Sequence, residues 1–329
     1  MANEKRFLEN RVTVLGTVKS IKVTDRDEVG QHKFPAKSLR MVVSTGEGEN
    51  HTVEAFAMKH YIDKETNKTA VDKTGNIAIN GAYTALETVE REYISQEQID
   101  EQGLEVAPTV VKVNGSLENN MYKNKAGQVV EGLKISGRFF NRIENNTEEF
   151  GVTYTLEGFT LTGASRVTDK DGEDTEEVSF KAATIDYKGL AHPFVFTVTG
   201  AMADSVENGL EQGMSVLISG KIRNKFHTYT VARETTGMTF GEEIVDVKHE
   251  TIRKTFATGI NAYDEDDKNA IAKDVMSEAV KKYEAAKLEV KSSENKKKEV
   301  KANNGFNAPT KKPVASAMAT NINEDDLPF

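Results

Sequence analysis

Residues 144–232 run strand, strand, strand, helix, strand, strand, and this order constrains the fold more than any other feature of the chain. The first three strands are Val152–Leu161, Val178–Ile185 and Phe194–Val198, rich in β-branched and aromatic residues. Met202, Val206 and Leu210 then recur at the spacing of one helix face, and Gly213 stands where a helix stops. Met214–Arg223 and Tyr229–Ala232 resume the strand pattern, with a turn expected between them.

A helix between the third and fourth of five strands is the order of the OB-fold, a small Greek-key barrel. The first half is also strand-rich. Arg11–Val18, Ile21–Val23, Leu39–Val43 and Thr52–Met58 read as strands, and Ile77–Leu86 as a strand pair or one long bent strand. Residues 90–108 are charged and read as an irregular insertion. Val110–Val113 and Leu133–Ile135 flank a hairpin tip at Tyr122–Gly127.

The fold class expected is therefore mainly β. Two OB-fold-like five-stranded barrels stand in tandem at 5–143 and 144–260, although Leu133–Ile143 can close the first or open the second. A helical segment is expected at 261–290. Within it Ile271, Val275, Ala279, Val280, Tyr283 and Leu288 make an apolar stripe, and Asp264–Asp267 lie at the positive end of the dipole. Residues 291–329 turn Lys/Asn/Ala/Ser-rich and read as a disordered tail.

Composition narrows the function. The chain has no cysteine, which excludes thiolate catalysis, disulfides and Cys-based zinc sites. It contains no apolar run of membrane-spanning length and no secretory N-terminus, so a soluble, cytoplasmic protein is expected. A net charge of −9 weighs against a generally basic nucleic-acid binder, but local grooves rather than totals set phosphate contacts. The phosphate-loop, His-Glu-x-x-His and Gly-x-Ser-x-Gly motifs are missing. Asp169–Asp174 imitates a calcium loop with its glycine too early, and a hairpin turn explains it more simply. No enzyme activity, metal or cofactor is expected.

The chain ends in Asp325-Asp326-Leu327-Pro328-Phe329. A carboxylate cluster beside an apolar ring suits an Arg/Lys-rimmed hydrophobic pocket on another protein. This ending resembles the acidic C-terminal tip of bacterial and phage single-stranded DNA-binding proteins. The same resemblance extends to Asn10–Gly16, similar to that family's first strand, and to Gly213, Val216, Ile218, Gly220, Ile222 and Arg223 in a later one. It implies a protein that coats and protects single-stranded DNA in replication, recombination and repair. It also implies that Asp325–Phe329 docks partner enzymes, and that a dimer of two-barrel chains forms.

Sequence-tolerant single-strand binding needs a positive groove and aromatic faces for bases. On OB-folds that surface is the strand 2–3 face with the loops joining strands 1–2 and 4–5. Basic and aromatic residues interleave there at Lys33, Phe34, Lys37 and Arg40, at Lys59 and Tyr61, and at Tyr122, Lys123 and Lys125. They do so again at Arg138 and Arg142 around Phe139 and Phe140, at Lys188, and at Lys221, Arg223, Lys225, Phe226 and Tyr229. Lys221, Arg223 and Lys225 share one strand face by alternation, with Phe226 and Tyr229 expected at the turn. Barrel aromatics more often fill the core, and Phe194 and Phe196 are assigned there, while Phe56 fits either role. The chain has no tryptophan, so stacking would fall to Phe and Tyr. The competing reading is a β-barrel interaction adaptor of the replisome with little DNA affinity.

Overall fold

A computed structural model describes residues 6–63, 65–169, 171–232 and 245–292. The described chain is mainly β with a C-terminal helix. Its first part comprises β1 (Asn10–Val29), β2 (Phe34–Gly46), β3 (Glu49–Met58), α1 (Gly81–Glu92), α2 (Gln96–Gln102), β4 (Val110–Lys123) and β5 (Val129–Arg142). The second comprises β6 (Gly151–Thr160), β7 (Ser165–Thr168), β8 (Asp174–Ile185), β9 (Ala191–Val198), α3 (Ala201–Gly209), β10 (Ser215–Ala232) and β11 (Val245–Tyr263). Helix α4 (Lys273–Ser292) follows.

Strand pairing closes twice. β1 pairs with β2, β2 with β3, β3 with β5 in parallel, β5 with β4, and β4 with β1. In the same way β6 pairs with β8, β8 with β9, β9 with β11 in parallel, β11 with β10, and β10 with β6. Each circuit carries a helix between its third and fourth strands, the element order of an OB-fold. The two circuits join through their first strands, where Asn10–Leu15 of β1 lies antiparallel to Gly151–Leu156 of β6.

The circuits match in detail. In the first, β4 slips register at Asn114/Gly115 so that Arg138 is left unpaired between Gly137 and Phe139. In the second, β10 slips at Ser219/Gly220 and leaves Thr258 unpaired between Ala257 and Gly259. Both bulges rest on a glycine that a side chain could not replace. A Cβ on Gly115 would lie 2.0 Å from the Ser136 carbonyl oxygen, and one on Gly220 1.8 Å from that of Phe256. A bulge sharpens local twist, which a small closed barrel needs.

Inward-facing residues of both circuits form one continuous core. In the second, Phe196 stacks on Phe180 with ring centroids 5.4 Å apart and meets Phe194 edge-on, and all three are buried, as expected for Phe194 and Phe196. In the first, the fully buried strand residues are aliphatic, such as Val14, Leu39, Met41, Val53 and Val113, with Phe140 packed partly against them, and the helical segment adds Tyr83, Leu86, Val89 and Tyr93.

Four expectations change. Residues 81–86 belong to α1, not to a strand. Tyr83, Leu86 and Val89 recur at helical spacing on its buried face, and the Asn80 side chain caps it by accepting from Ala82 N–H. The supposed irregular insertion contains α2, held by a capping box between Ser95 and Gln98. Met214–Arg223 and Tyr229–Ala232 are one strand, because β11 pairs with it residue by residue through Ala232. Helix α4 starts at Lys273, later than expected, since Asp264–Ala270 make successive turns.

Candidate nucleic-acid interface

The outer surface of the first circuit is assembled by alternation. On β2, Leu39, Met41 and Val43 face inward and Ser38, Arg40 and Val42 outward. On β3 the outward set includes Thr52, Glu54 and Phe56, and Arg40 lies opposite Glu54 while Ser38 lies opposite Phe56. Glu54 is level with Ser136 on parallel β5, which brings Phe56 level with Arg138. The bulge then puts Arg138 and Phe139 outside together, while Phe140 turns back onto the core. Phe56 is 51% exposed and Phe139 67%. Lys22, opposite Arg40 on β1, extends the basic edge. Two exposed rings thus lie among Arg40, Arg138 and Lys22, with one carboxylate, Glu54, between them.

A groove of about 490 Å³ continues from this face to the second circuit, lined among others by Arg40, Tyr122, Lys134, Arg223, Arg253 and Lys254. The β10–β11 ribbon forms its far wall and is tied to the first circuit. Phe226 N–H donates to the Gly48 carbonyl at 2.8 Å, the Asn224 side-chain amide donates to the Asn50 carbonyl at 2.6 Å, and Arg223 donates to Glu49 at 2.8 Å. At the other end the first circuit leans on the second and on α4. Asn119 N–H donates to His192 Nδ1 at 3.2 Å, and Tyr283 and Lys287 both reach Glu131 at 2.7 Å. Burial and the Glu131 carboxylate push the Tyr283 hydroxyl up to about 12.

The expected site residues separate into groups. Arg40, Tyr122 and Arg223 meet in the groove, and Arg138 lies on the face leading into it. Lys221, Lys225, Phe226 and Tyr229 are exposed along β10, and the Phe226 ring stacks on His249 at 5.3 Å. Phe226 and Tyr229 sit within a continuous strand, not at a turn. Lys33 is at the β1–β2 turn, 3.2 Å from Glu28, and the Phe34 ring lies between His32 and His60. Lys59 stands over the Tyr83 ring at 5.9 Å, and Tyr61 is exposed beside it in sequence. Lys123 donates to the Lys291 carbonyl at 3.1 Å, and Lys125 is exposed at the β4–β5 turn. Arg142 is exposed at the end of β5, and Lys188 stands over Tyr187 in the β8–β9 turn.

Lys37 does not belong to the surface. It is 6% exposed, and its ammonium contacts Asp25 at 2.8 Å and Glu90 at 2.7 Å. Burial works to lower its pKa, but the two carboxylates outweigh that and hold it above the ordinary lysine value. It is a structural ion-pair residue. Lys134, Arg253 and Lys254 are groove cations that the sequence reading missed. Arg253 and Lys254 lie in Ile252–Phe256 of β11, a strand outside the expected elements, whereas Lys134 lies within the expected strand Leu133–Ile135. Asp325–Phe329 lie outside the described residues.

The matching face of the second circuit is chemically different. Register places Ser179 where the first has Arg40, Thr197 in place of Glu54, Thr258 in place of Arg138 and Gly259 in place of Phe139. Among the described residues no group of three or more His, Asp or Glu side chains is arranged to hold a metal ion, and no helix is long and apolar enough to cross a membrane.

No curated protein matches the sequence. Among solved structures, the chain is similar to the wild-type single-stranded DNA binding protein from Thermus aquaticus at 10% identity and TM-score 0.42, covering 79% of this chain and 95% of that one. A small single-stranded DNA-binding protein from Streptomyces coelicolor is matched at 19% identity and TM-score 0.19, over 34% of this chain and 94% of that one. A replication protein A heterotrimer bound to ssDNA is matched at 11% identity and TM-score 0.20, over 66% of this chain and 47% of that one. The YorF family model matches residues 9–299, most of the chain, and the protein belongs to the YorF family.

Proposed function

We propose that this chain binds single-stranded DNA with little sequence preference, through the outer face of β2, β3 and β5 and the groove beside it. The observation that carries the reading is the placement of Arg40, Phe56, Arg138 and Phe139 together on the strand 2–3–5 face of a closed circuit. Guanidinium groups neutralise phosphates, and exposed rings stack on bases of any identity, at about 1–3 kcal/mol per base. Each circuit is read as an OB-like barrel, the first at 5–143 and the second at 144–260. The protein is a binding protein, not an enzyme, and acts in the cytoplasm. By coating the strand it keeps it unpaired and protected during replication and recombination. Asp325–Phe329 recruits partner proteins, and two chains associate as a homodimer.

One observation favours the adaptor reading. Net charge is −9, and Lys134, Arg223 and Lys254 in the groove each contact a carboxylate of the same chain. The two readings separate in anisotropy titrations of labelled oligo(dT) against matched duplex, at two salt concentrations, with the full chain and with a chain ending at Thr320. The DNA reading expects salt-sensitive preference for the single strand that survives the truncation. No preference at low salt leaves the adaptor.

A further inference from the structure

β10 and β11 place two cations directly opposite each other. Arg223 pairs in register with Lys254, and the next pair is Asn224 with Arg253. Like charges opposite one another on a sheet are unfavourable unless something between them carries negative charge. The equivalent pair in the first circuit is Glu118 with Lys134, which neutralise each other at 3.5 Å. The second circuit therefore has a cation where its counterpart has a carboxylate. Both residues of that cation pair line the inter-circuit groove.

Two carboxylates from different circuits hold these cations. Glu49, on β3, is 2.8 Å from Arg223, and its side chain is 8% exposed. Glu177, on β8, is 2.5 Å from Lys254. A carboxylate buried as deeply as Glu49 needs a cation, and the other group facing it is His51, whose Nε2 lies 3.6 Å away. Burial lowers the His51 pKa, the Glu49 carboxylate opposes that, and Arg223 adds to the lowering, so Arg223 is the charge that balances Glu49. Lys134 repeats the arrangement at the near side of the groove, between Glu54 at 3.7 Å and Glu118 at 3.5 Å.

We propose that Arg223 and Lys254 form a clamp for one backbone phosphate of a nucleic-acid strand, and that Glu49 and Glu177 mask it until the strand displaces Glu177 and shares Arg223 with Glu49. The inference rests on the single-strand-binding reading above and adds its regulation. A strand entering from the Phe56–Phe139 face meets this cation pair next. Phosphate then exchanges with carboxylates of the protein itself, not only with salt ions. Both affinity and salt dependence fall below what the number of groove cations gives.

The test is oligo(dT) binding by wild type, Glu49→Gln, Glu177→Gln, the double variant and Lys254→Ala, each at three or more salt concentrations, with thermal melts to confirm folding. The expected results are affinity raised about twofold in Glu177→Gln and about threefold to tenfold in the double variant. The slope of log K against log salt should steepen by about 0.7 for each cation unmasked. Lys254→Ala should weaken binding and flatten the slope. Wild-type binding with affinity and slope unchanged in Glu177→Gln and the double variant overturns the masking and leaves the function standing. If Glu49→Gln does not fold, the half-buried Glu177 carries the same test alone. Absence of binding by every protein overturns both.

Discussion

The two circuits share strand order, parallel closure and a bulge over a glycine, yet the matching three-strand sheets, β2–β3–β5 and β8–β9–β11, place their phenylalanines differently. The second buries Phe180, Phe194 and Phe196 and presents Ser179 and Thr258 on its outer face, with Thr197 buried between them. The first fills its strand core with valine, leucine and methionine and leaves Phe56 and Phe139 in solvent beside Arg40 and Arg138. An exposed ring between two guanidinium groups adds little to folding, whereas each fully buried ring contributes about 1.5–3 kcal/mol. This contrast underlies the proposal that the outer face of the first copy carries the strand while the packed aromatic core of the second chiefly stabilises the chain.

The sharpest way to break this contrast is by truncating rings. Phe196→Ala should destabilise the protein by about 3–5 kcal/mol in urea unfolding, because Phe180, Phe194 and Tyr154 pack around it. Phe139→Ala should shift stability by less than about 0.5 kcal/mol. Equal effects would remove the distinction. Binding should reverse the order. The double variant Phe56→Ala, Phe139→Ala should lose about tenfold or more in oligo(dT) affinity, one stacked base being worth about 1–3 kcal/mol. The contrast can also be sharpened by transplant. Ser179→Arg with Thr258→Arg should raise affinity and steepen the salt slope by about 0.7 per arginine if only side chains separate the two faces.

Smaller effects test the buried charges. Lys37→Met should lower stability by about 1 kcal/mol, its partners Asp25 and Glu90 being partly solvated, and leave DNA affinity unchanged. His51 has a folded pKa below its ordinary 6.5, so the unfolded chain takes up a proton that the folded chain refuses. Stability should therefore fall as pH drops below about 6.5 and be retained above it. Urea midpoints at pH 7.5 and 5.5 should differ less in His51→Gln than in wild type.

Much of this was legible in the sequence. Within 144–232 the first three expected strands, helix α3 and the start of β10 were readable, because alternation and the Met202, Val206, Leu210 stripe are local signals, whereas β7 and the closing strand β11 were not. The Tyr122–Gly127 hairpin tip was readable from its turn residues, with Gly127 at φ 80°. Residues 81–86 were not, since Ala-Tyr-Thr-Ala-Leu suits a strand locally and only the spacing through Val89 reveals the helix. Lys37 looked like surface because its partners, Asp25 and Glu90, come from a neighbouring strand and a distant helix. The outward turn of Phe139 depends on a bulge created by β4, and the meeting of Arg40 with Arg223 depends on packing between circuits. Neither is written in any single segment.

The most direct test of the assignment is photo-crosslinking of an oligonucleotide carrying 4-thiothymidine at successive positions, followed by identification of the modified peptides. Attachment within residues 52–58 and 134–140, competed by oligo(dT) but not by duplex, is the predicted result. Attachment confined to β8 and β9, or none under saturating conditions, would contradict it.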